Sequence, residues 1–191
     1  VYPTHFGMDV AALRRAPFPA VATLTDADTG EAAYVDLRRA EDPFAVLHAT
    51  SALPLVSESP VAVGGRRFVD GGVADPIPLA RALADGHRDV LLVANRPPGE
   101  RAPEPRAVVR LVALRHPALA EPAARHHARH NAAMRLAQRP PEGTRVRIVR
   151  PLRDLGVTRF TRDPALLRRA VEAGRRAGAA AAAECGLAPR A

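Results

Sequence analysis

Residues 61–78 read Val61-Ala-Val-Gly-Gly-Arg-Arg-Phe-Val-Asp70-Gly-Gly-Val-Ala-Asp-Pro-Ile-Pro78, and they are the most informative part of the chain. Two runs rich in strand-forming residues, Val61–Val63 and Arg66–Val69, are joined by Gly64 and Gly65. Paired glycines favour a two-residue hairpin turn, because such a turn needs positive φ angles. The stretch therefore predicts a β-hairpin that presents Asp70 at its end.

Strands and helices alternate on either side of this hairpin. The run Asp89–Asn95 is continuously apolar, which is typical of a strand buried on both faces of a parallel sheet. The other predicted strands are Val21–Thr25, Ala32–Asp36, Ala107–Leu114 and Arg145–Val149, and the predicted helices are Phe44–Ala49, one from Asp75-Pro76 to Gly86, Pro117–Gln138, and Asp163-Pro164 to about Ala183. This alternation predicts an α/β layered fold in a single domain.

The composition excludes several classes of protein. The chain has 191 residues, of which 47% are hydrophobic, enough for one compact core. The single cysteine, Cys185, excludes an internal disulfide and any zinc or iron–sulfur site built from cysteines. No run approaches the roughly 18 apolar residues of a membrane-spanning helix. The sequence therefore predicts a globular domain without a transmembrane helix.

The formal net charge of +8 would ordinarily indicate a polyanionic partner. All 28 basic residues are arginine, however, and arginine, alanine, proline and glycine share GC-rich codons. We interpret much of the basicity as compositional bias and expect no nucleic-acid partner, because no stacking aromatics accompany the arginines. A solvated basic face is the favoured interpretation of two arginine groups, and weak peripheral contact with an anionic membrane is the alternative if the protein acts on lipids. The groups are Arg168, Arg169, Arg175 and Arg176, and Arg145, Arg147 and Arg150.

The segment Ala49–Pro78 resembles the C-terminal half of the patatin-like phospholipases, most closely their bacterial esterase branch. The shared features are a small-residue segment with a proline, Ala49–Leu55, followed by a hairpin that ends in Asp-Gly-Gly. The likeness extends upstream through Thr25-Asp26-x-x-Thr29-Gly30, and downstream through Gly86, Val90–Val93 and Arg162-Asp163-Pro164. It implies a three-layer α/β/α fold that is N-terminally incomplete, with residues 1–191 forming the C-terminal part of one hydrolase domain. The role of the Thr25 motif is left open.

The resemblance implies that Asp70 is the general base of a Ser-Asp dyad that hydrolyses lipid acyl esters. Gly71, Gly72, Ser51 and Pro54 would shape the site, and the dyad requires neither metal nor cofactor. The two glycines would leave room for a close approach and permit φ angles that a Cβ forbids. Without the resemblance, Asp70 would be read as a turn cap. Asp75 is more simply a helix cap than a second acid.

The nucleophile of such a dyad is absent from these residues. The family's serine lies in a Gly-x-Ser-x-Gly elbow, and none of Ser51, Ser57 and Ser59 has flanking glycines. We expect the elbow to precede Val1 and the chain alone to be inactive. The alternative is a non-catalytic relative that binds lipid surfaces or a protein partner. A nucleic-acid-binding protein is the third and weakest interpretation.

His126 and His130 are four residues apart on a predicted helix, which places two imidazoles on one face. A zinc protease would need a glutamate directly after His126, where the sequence has histidine. We therefore expect a solvated helix face and no metal. We expect a cytoplasmic location, peripheral to a membrane; because the first residue is not Met, secretion stays open, as does the oligomeric state.

Overall fold

A computed structural model describes residues 7–56, 60–99, 106–158 and 161–186. Helices and strands are mixed along the chain, and the strands include a parallel pair, which confirms the predicted α/β class. The helices are α1 (Val10–Arg15), α2 (Pro43–Ala49), α3 (Leu79–Ala84), α4 (Arg106–Arg115), α5 (Ala120–Gln138) and α6 (Pro164–Glu184). The strands are β1 (Val21–Asp26), β2 (Ala32–Asp36), β3 (Val61–Val63), β4 (Arg66–Asp70), β5 (Asp89–Val93) and β6 (Arg145–Val149).

The chain divides into two compact units. The first comprises Val1–Pro78 and Ala102–Ala133, and the second comprises Leu79–Arg101 and Met134–Ala191. The first unit is thus assembled from two separate stretches of sequence. The interpretation of residues 1–191 as part of one hydrolase domain stays a prediction.

The first unit is built on a four-stranded antiparallel sheet with strand order β2-β1-β4-β3. Strands β3 and β4 form the predicted hairpin, and Gly64 and Gly65 have φ angles of 56° and 77°. Positive φ at both central residues is the geometry that matches the right-handed twist of the paired strands. The β4 strand that follows this turn pairs with β1 so that Asp70 lies opposite Leu24.

Helices cover both faces of this sheet. On one face, Leu24 and Phe68 pack with Val46 and Ala49 of α2, a helix capped by Asp42. On the other face, Ala27 and Val69 pack with Val112 of α4 and with Leu119, which lies in a 3₁₀ turn at Pro117–Leu119. Alternate side chains of a strand point to opposite faces, which is why Phe68 and its neighbour Val69 belong to different clusters. The first unit accordingly has the helix–sheet–helix layering of the predicted fold.

The second unit contains the parallel pair β5–β6. The sequence predicted that β5 would be buried on both faces, and this is wrong. Leu91 is 45% exposed and Val93 is 73% exposed, and exposure alternates along the strand. Within the described residues, the face of β5 that carries these two side chains therefore lacks a complete covering layer.

Two further expectations from the sequence are wrong. Residues Ala107–Leu114 form helix α4 and not a strand, since burial of Val112 against Leu119 selects the helical conformation. The helix expected to open at Asp75 begins instead at Leu79, and the Asp75 carboxylate accepts a hydrogen bond from the Tyr34 hydroxyl at 2.6 Å. The helices predicted at Pro117–Gln138 and from Asp163-Pro164 are present with nearly the predicted bounds.

None of the helices within the described ranges is both long enough and apolar enough to cross a membrane.

Candidate active site

Asp70 is the last residue of β4, an inner strand of the first unit's sheet, and three contacts fix its backbone. Asp70 lies opposite Leu24 in the ladder, and its amide donates to the Ala52 carbonyl at 2.9 Å. Its carbonyl accepts a hydrogen bond from the Thr25 hydroxyl, also at 2.9 Å. The main chain that bears the carboxylate is therefore anchored on both its donor and its acceptor side.

The Asp70 carboxylate is itself oriented by the turn that follows it. Gly71–Val73 form a short 3₁₀ turn, and Asp70 Oδ1 accepts from the Gly72 amide at 2.7 Å. A hydrogen bond from a backbone amide to a carboxylate is charge-assisted and stronger than one between neutral groups. It holds the half-buried side chain in one direction at the strand end.

The two glycines of the turn have different reasons to be glycine. A Cβ on Gly71 would lie 2.0 Å from the Thr23 carbonyl oxygen, so the turn touches the backbone of β1. A Cβ on Gly72 would lie 3.0 Å from Asp70 Oδ1. Neither glycine has a positive φ, so the expectation that they supply special φ angles is wrong. The expectation of a close backbone approach is confirmed at Gly71.

Thr25 joins β1 to this turn, a role that the sequence did not reveal. Its side chain is fully buried, and its hydroxyl donates to Asp70 O and accepts from the Ala74 amide at 3.1 Å. The Thr25 hydroxyl thus bonds to Asp70, directly before the turn, and to Ala74, directly after it. Thr25 is a positioning residue for Asp70.

The neighbouring Asp26 closes the turn after β1 and is almost completely buried. Burial acts to raise the pKa of its carboxyl, but hydrogen bonds from the amides of Thr29 and Asp28, together with the Arg66 guanidinium at 2.6 Å, outweigh it. The pKa of Asp26 consequently lies below its usual value. The carboxylate ties the start of β4 to the end of β1, close to the Thr25 contacts.

Comparison with known proteins matches the sequence around Thr25, Asp26 and the Asp70 turn to one family. Residues 5–83, which include Thr25, Asp26 and the Asp70 turn, match the model of the family described as Patatin-like phospholipase. This segment is therefore similar to the patatin-like phospholipases, and the match covers less than half of the 191-residue chain. Members of that family are generally esterases or phospholipases, so the segment is similar to lipid acyl hydrolases.

A second family model matches part of the remaining chain. Residues 116–186 match a model described as Domain of unknown function (DUF6363). No curated protein matches the chain. The likeness that the sequence suggested over nearly the whole chain is thus supported at residues 5–83. Residues 116–186 match a different description, and residues 84–115 match neither of the two models.

Ser51 and Pro54 of the patatin-like segment lie on the connection that reaches Asp70 through Ala52. Pro54 is buried. Ser51 is exposed at the end of α2, and its hydroxyl donates to the carbonyls of Leu47 and His48 at 3.1 and 3.2 Å. Those contacts belong to the helix end and do not direct Ser51 to the carboxylate. Ser57 and Ser59 lie outside the described residues.

His126 of α5 also contacts the patatin-like turn. Its Nδ1 lies 2.6 Å from the carbonyl oxygen of Gly72, and because a carbonyl can only accept, Nδ1 carries the proton. The side chain is half-buried, so the expectation of a solvated helix face is wrong at this position. The contact spans 54 residues of sequence, and no local pattern could have revealed it.

Proposed function

We propose that this chain supplies the general base, Asp70, of a Ser-Asp dyad that hydrolyses carboxylic esters of lipids, with the serine coming from outside the given sequence. The observation that carries the proposal is the fixed carboxylate at the end of β4, held by the Gly72 amide within a segment of the patatin-like family. A general base must be positioned within about 2.6–3.2 Å of the proton that it removes. The anchoring of Asp70 through Ala52 and Thr25 supports such positioning.

The proposed reaction has two steps. In the first, Asp70 removes the serine proton as the serine oxygen attacks the ester carbonyl. The bond from the acyl carbon to the alcohol oxygen breaks, and the alcohol leaves with that proton. In the second, Asp70 removes a proton from water as the water oxygen attacks the acyl carbon. The bond from the acyl carbon to the serine oxygen breaks, the serine regains that proton from Asp70, and the carboxylic acid is released. A free aspartate, with a pKa near 3.9, is a weak base, so the dyad depends on positioning more than on basicity.

The test replaces the carboxylate without disturbing its contacts. Asn in the variant Asp70→Asn keeps an oxygen that can accept from the Gly72 amide, but it cannot take a proton. In a protein that joins this chain to its nucleophile segment, we expect hydrolysis of p-nitrophenyl butyrate to fall by about 10²–10⁴-fold. Asp75→Asn is the matched control, because Asp75 lies in the same connection and bonds to Tyr34. That variant should retain its activity.

Two results would contradict the proposal. Substantial esterase activity in Asp70→Asn would show that Asp70 is not the general base. Stoichiometric labelling of the given chain by a serine-directed fluorophosphonate would mean that it holds its own nucleophile. We expect no labelling, because none of its serines lies in a Gly-x-Ser-x-Gly elbow.

A second candidate function is that of a non-catalytic relative that binds an anionic lipid surface or a protein partner, as a peripheral and cytoplasmic protein. The observation that favours it is the same lack of a serine elbow, combined with a formal net charge of +8. It predicts binding to phosphatidylglycerol vesicles that weakens as salt rises, without hydrolysis. Vesicle sedimentation at low and high salt separates it from the dyad.

A further inference from the structure

The second unit contains a large open groove that the proposed reaction does not use. It has a volume of about 1270 Å³ and lies between β6, the segment 150–155 and helix α6. Ligand pockets in proteins commonly have about 300–1,000 Å³, so the groove is large enough for a lipid-sized molecule.

Part of the groove wall is apolar and incompletely filled, although Asp154, Glu172 and Glu184 also line the groove. Helix α6 turns one face toward it, formed by Leu166, Ala170, Ala173, Ala177 and Ala181, which recur at the spacing of a single helical stripe. Four of these five residues are alanines, whose short side chains leave the space open. Leu91 and Leu152 also line the groove, and they are 45% and 90% exposed. The apolar surface is therefore accessible to an apolar ligand.

The groove lining also carries arginines, and we call the part of the lining that they form the rim. Four lining arginines, Arg150, Arg153, Arg168 and Arg169, form no ion pair with another residue in the part of the chain that the structure describes. By contrast, Arg147 is paired with Asp89 at 2.8 Å. Lining arginines outnumber lining carboxylates, so the rim carries a positive charge.

We infer that this groove binds a single long-chain fatty acid anion, with the carboxylate on the rim arginines and the acyl chain along the alanine face of α6. An apolar groove beside arginines that form no ion pair within the described residues is complementary to a molecule that has one anionic head and one apolar tail. Among the described residues that line the groove, none is an aromatic residue on which a nucleobase could stack. This binding does not depend on Asp70 or on hydrolysis.

The test is isothermal titration of laurate, below its critical micelle concentration, into the full chain. A buried methylene contributes enough transfer free energy for about a fourfold change in affinity. We therefore expect affinity to rise by about fourfold per methylene from octanoate through decanoate to laurate. Acetate should not bind measurably, and dodecyl maltoside, which has the same tail without the charge, should bind more weakly than laurate.

Variants separate the rim and the wall from the rest of helix α6. Removal of two rim arginines in Arg150→Ala/Arg168→Ala should weaken laurate binding by about fivefold, the scale of two exposed ion pairs. Arg175→Ala is the matched control, since Arg175 is on the same helix but outside the groove. Ala177→Leu fills the groove and should abolish binding, whereas Ala179→Leu, outside the groove, should not. Circular dichroism checks that each variant is folded.

Several outcomes would overturn the inference. Equal affinity for acetate and laurate would indicate an anion site without a tail groove. Equal weakening by Arg175→Ala and the double variant would indicate diffuse charge attraction. Binding to phosphatidylglycerol vesicles without binding to monomeric laurate would assign the arginines to a membrane surface.

Discussion

Substitution of Gly71 by alanine tests how tightly the Asp70 turn is pressed against β1. The added Cβ would lie 2.0 Å from the Thr23 carbonyl oxygen and 2.3 Å from its carbonyl carbon, and ordinary contact begins near 3.4 Å. Both atoms belong to the backbone of a central strand and cannot rotate away. The turn and the strand must separate by more than 1 Å, which also stretches the bond from Thr25 to Asp70.

The cost combines overpacking with weakened hydrogen bonds. Overpacking a filled site costs about 1–3 kcal/mol. Each lost hydrogen bond adds about 1 kcal/mol. We expect Gly71→Ala to lower the free energy of unfolding by about 2–4 kcal/mol, a large part of the roughly 5–15 kcal/mol of a typical domain. Urea denaturation followed by circular dichroism measures it.

Two other glycines provide the controls. Gly65 has a φ of 77° and nothing within 4 Å of an added Cβ, so Gly65→Ala should cost only the left-handed backbone penalty of about 1–2 kcal/mol. Gly72→Ala meets only the Asp70 side chain at 3.0 Å, and that side chain can shift. If Gly71→Ala lowered the free energy of unfolding no more than Gly65→Ala, the backbone contact would not be what requires glycine at position 71.

Two further predictions concern buried or paired polar groups. Thr25→Val removes the hydroxyl that bonds to the Asp70 carbonyl and the Ala74 amide, and it should lower the free energy of unfolding by about 1–3 kcal/mol, measured by urea denaturation. Thr25→Ser keeps the hydroxyl and should keep most of the stability. Equal losses in the two variants would refute the bridging role of the hydroxyl. The hydrogen-bonded Arg38 guanidinium lowers the pKa of Asp36 from 3.8 to about 2, so its contribution to stability is present above pH 3.8 and is lost as the pH falls through about 2. Asp36→Asn should therefore flatten the dependence of the urea midpoint on pH between about 4 and 2, and an unchanged slope would contradict the linkage.

The parts of the fold that depend on local sequence were predicted well. The Gly64-Gly65 turn needs positive φ angles that the pair itself supplies, and the last helix begins where Asp163 caps it and Pro164 occupies its first turn. Such signals act between residues adjacent in the chain. The end of β4 at Asp70 followed directly from them.

The errors arose where distant residues select the structure. A short apolar run such as Ala107–Leu114 is compatible with a strand or a helix, and the packing of Val112 on Leu119 makes it helical. The roles of Thr25 and His126 depend on partners 45 and 54 residues away. No periodicity or motif within either segment encodes those contacts, so only the folded chain could reveal them.

The discontinuous first unit constrains the order in which the chain can fold during synthesis. Residues 1–78 cannot complete their sheet face until the stretch 102–133 has been made, because Val69 is covered by Val112 and Leu119. At about 5–20 residues per second, the nascent sheet would wait several seconds for that cover. The two family matches, 5–83 and 116–186, therefore do not correspond to two independently folding pieces. Cleavage of the chain between them would separate the sheet from Leu119, which covers one of its faces.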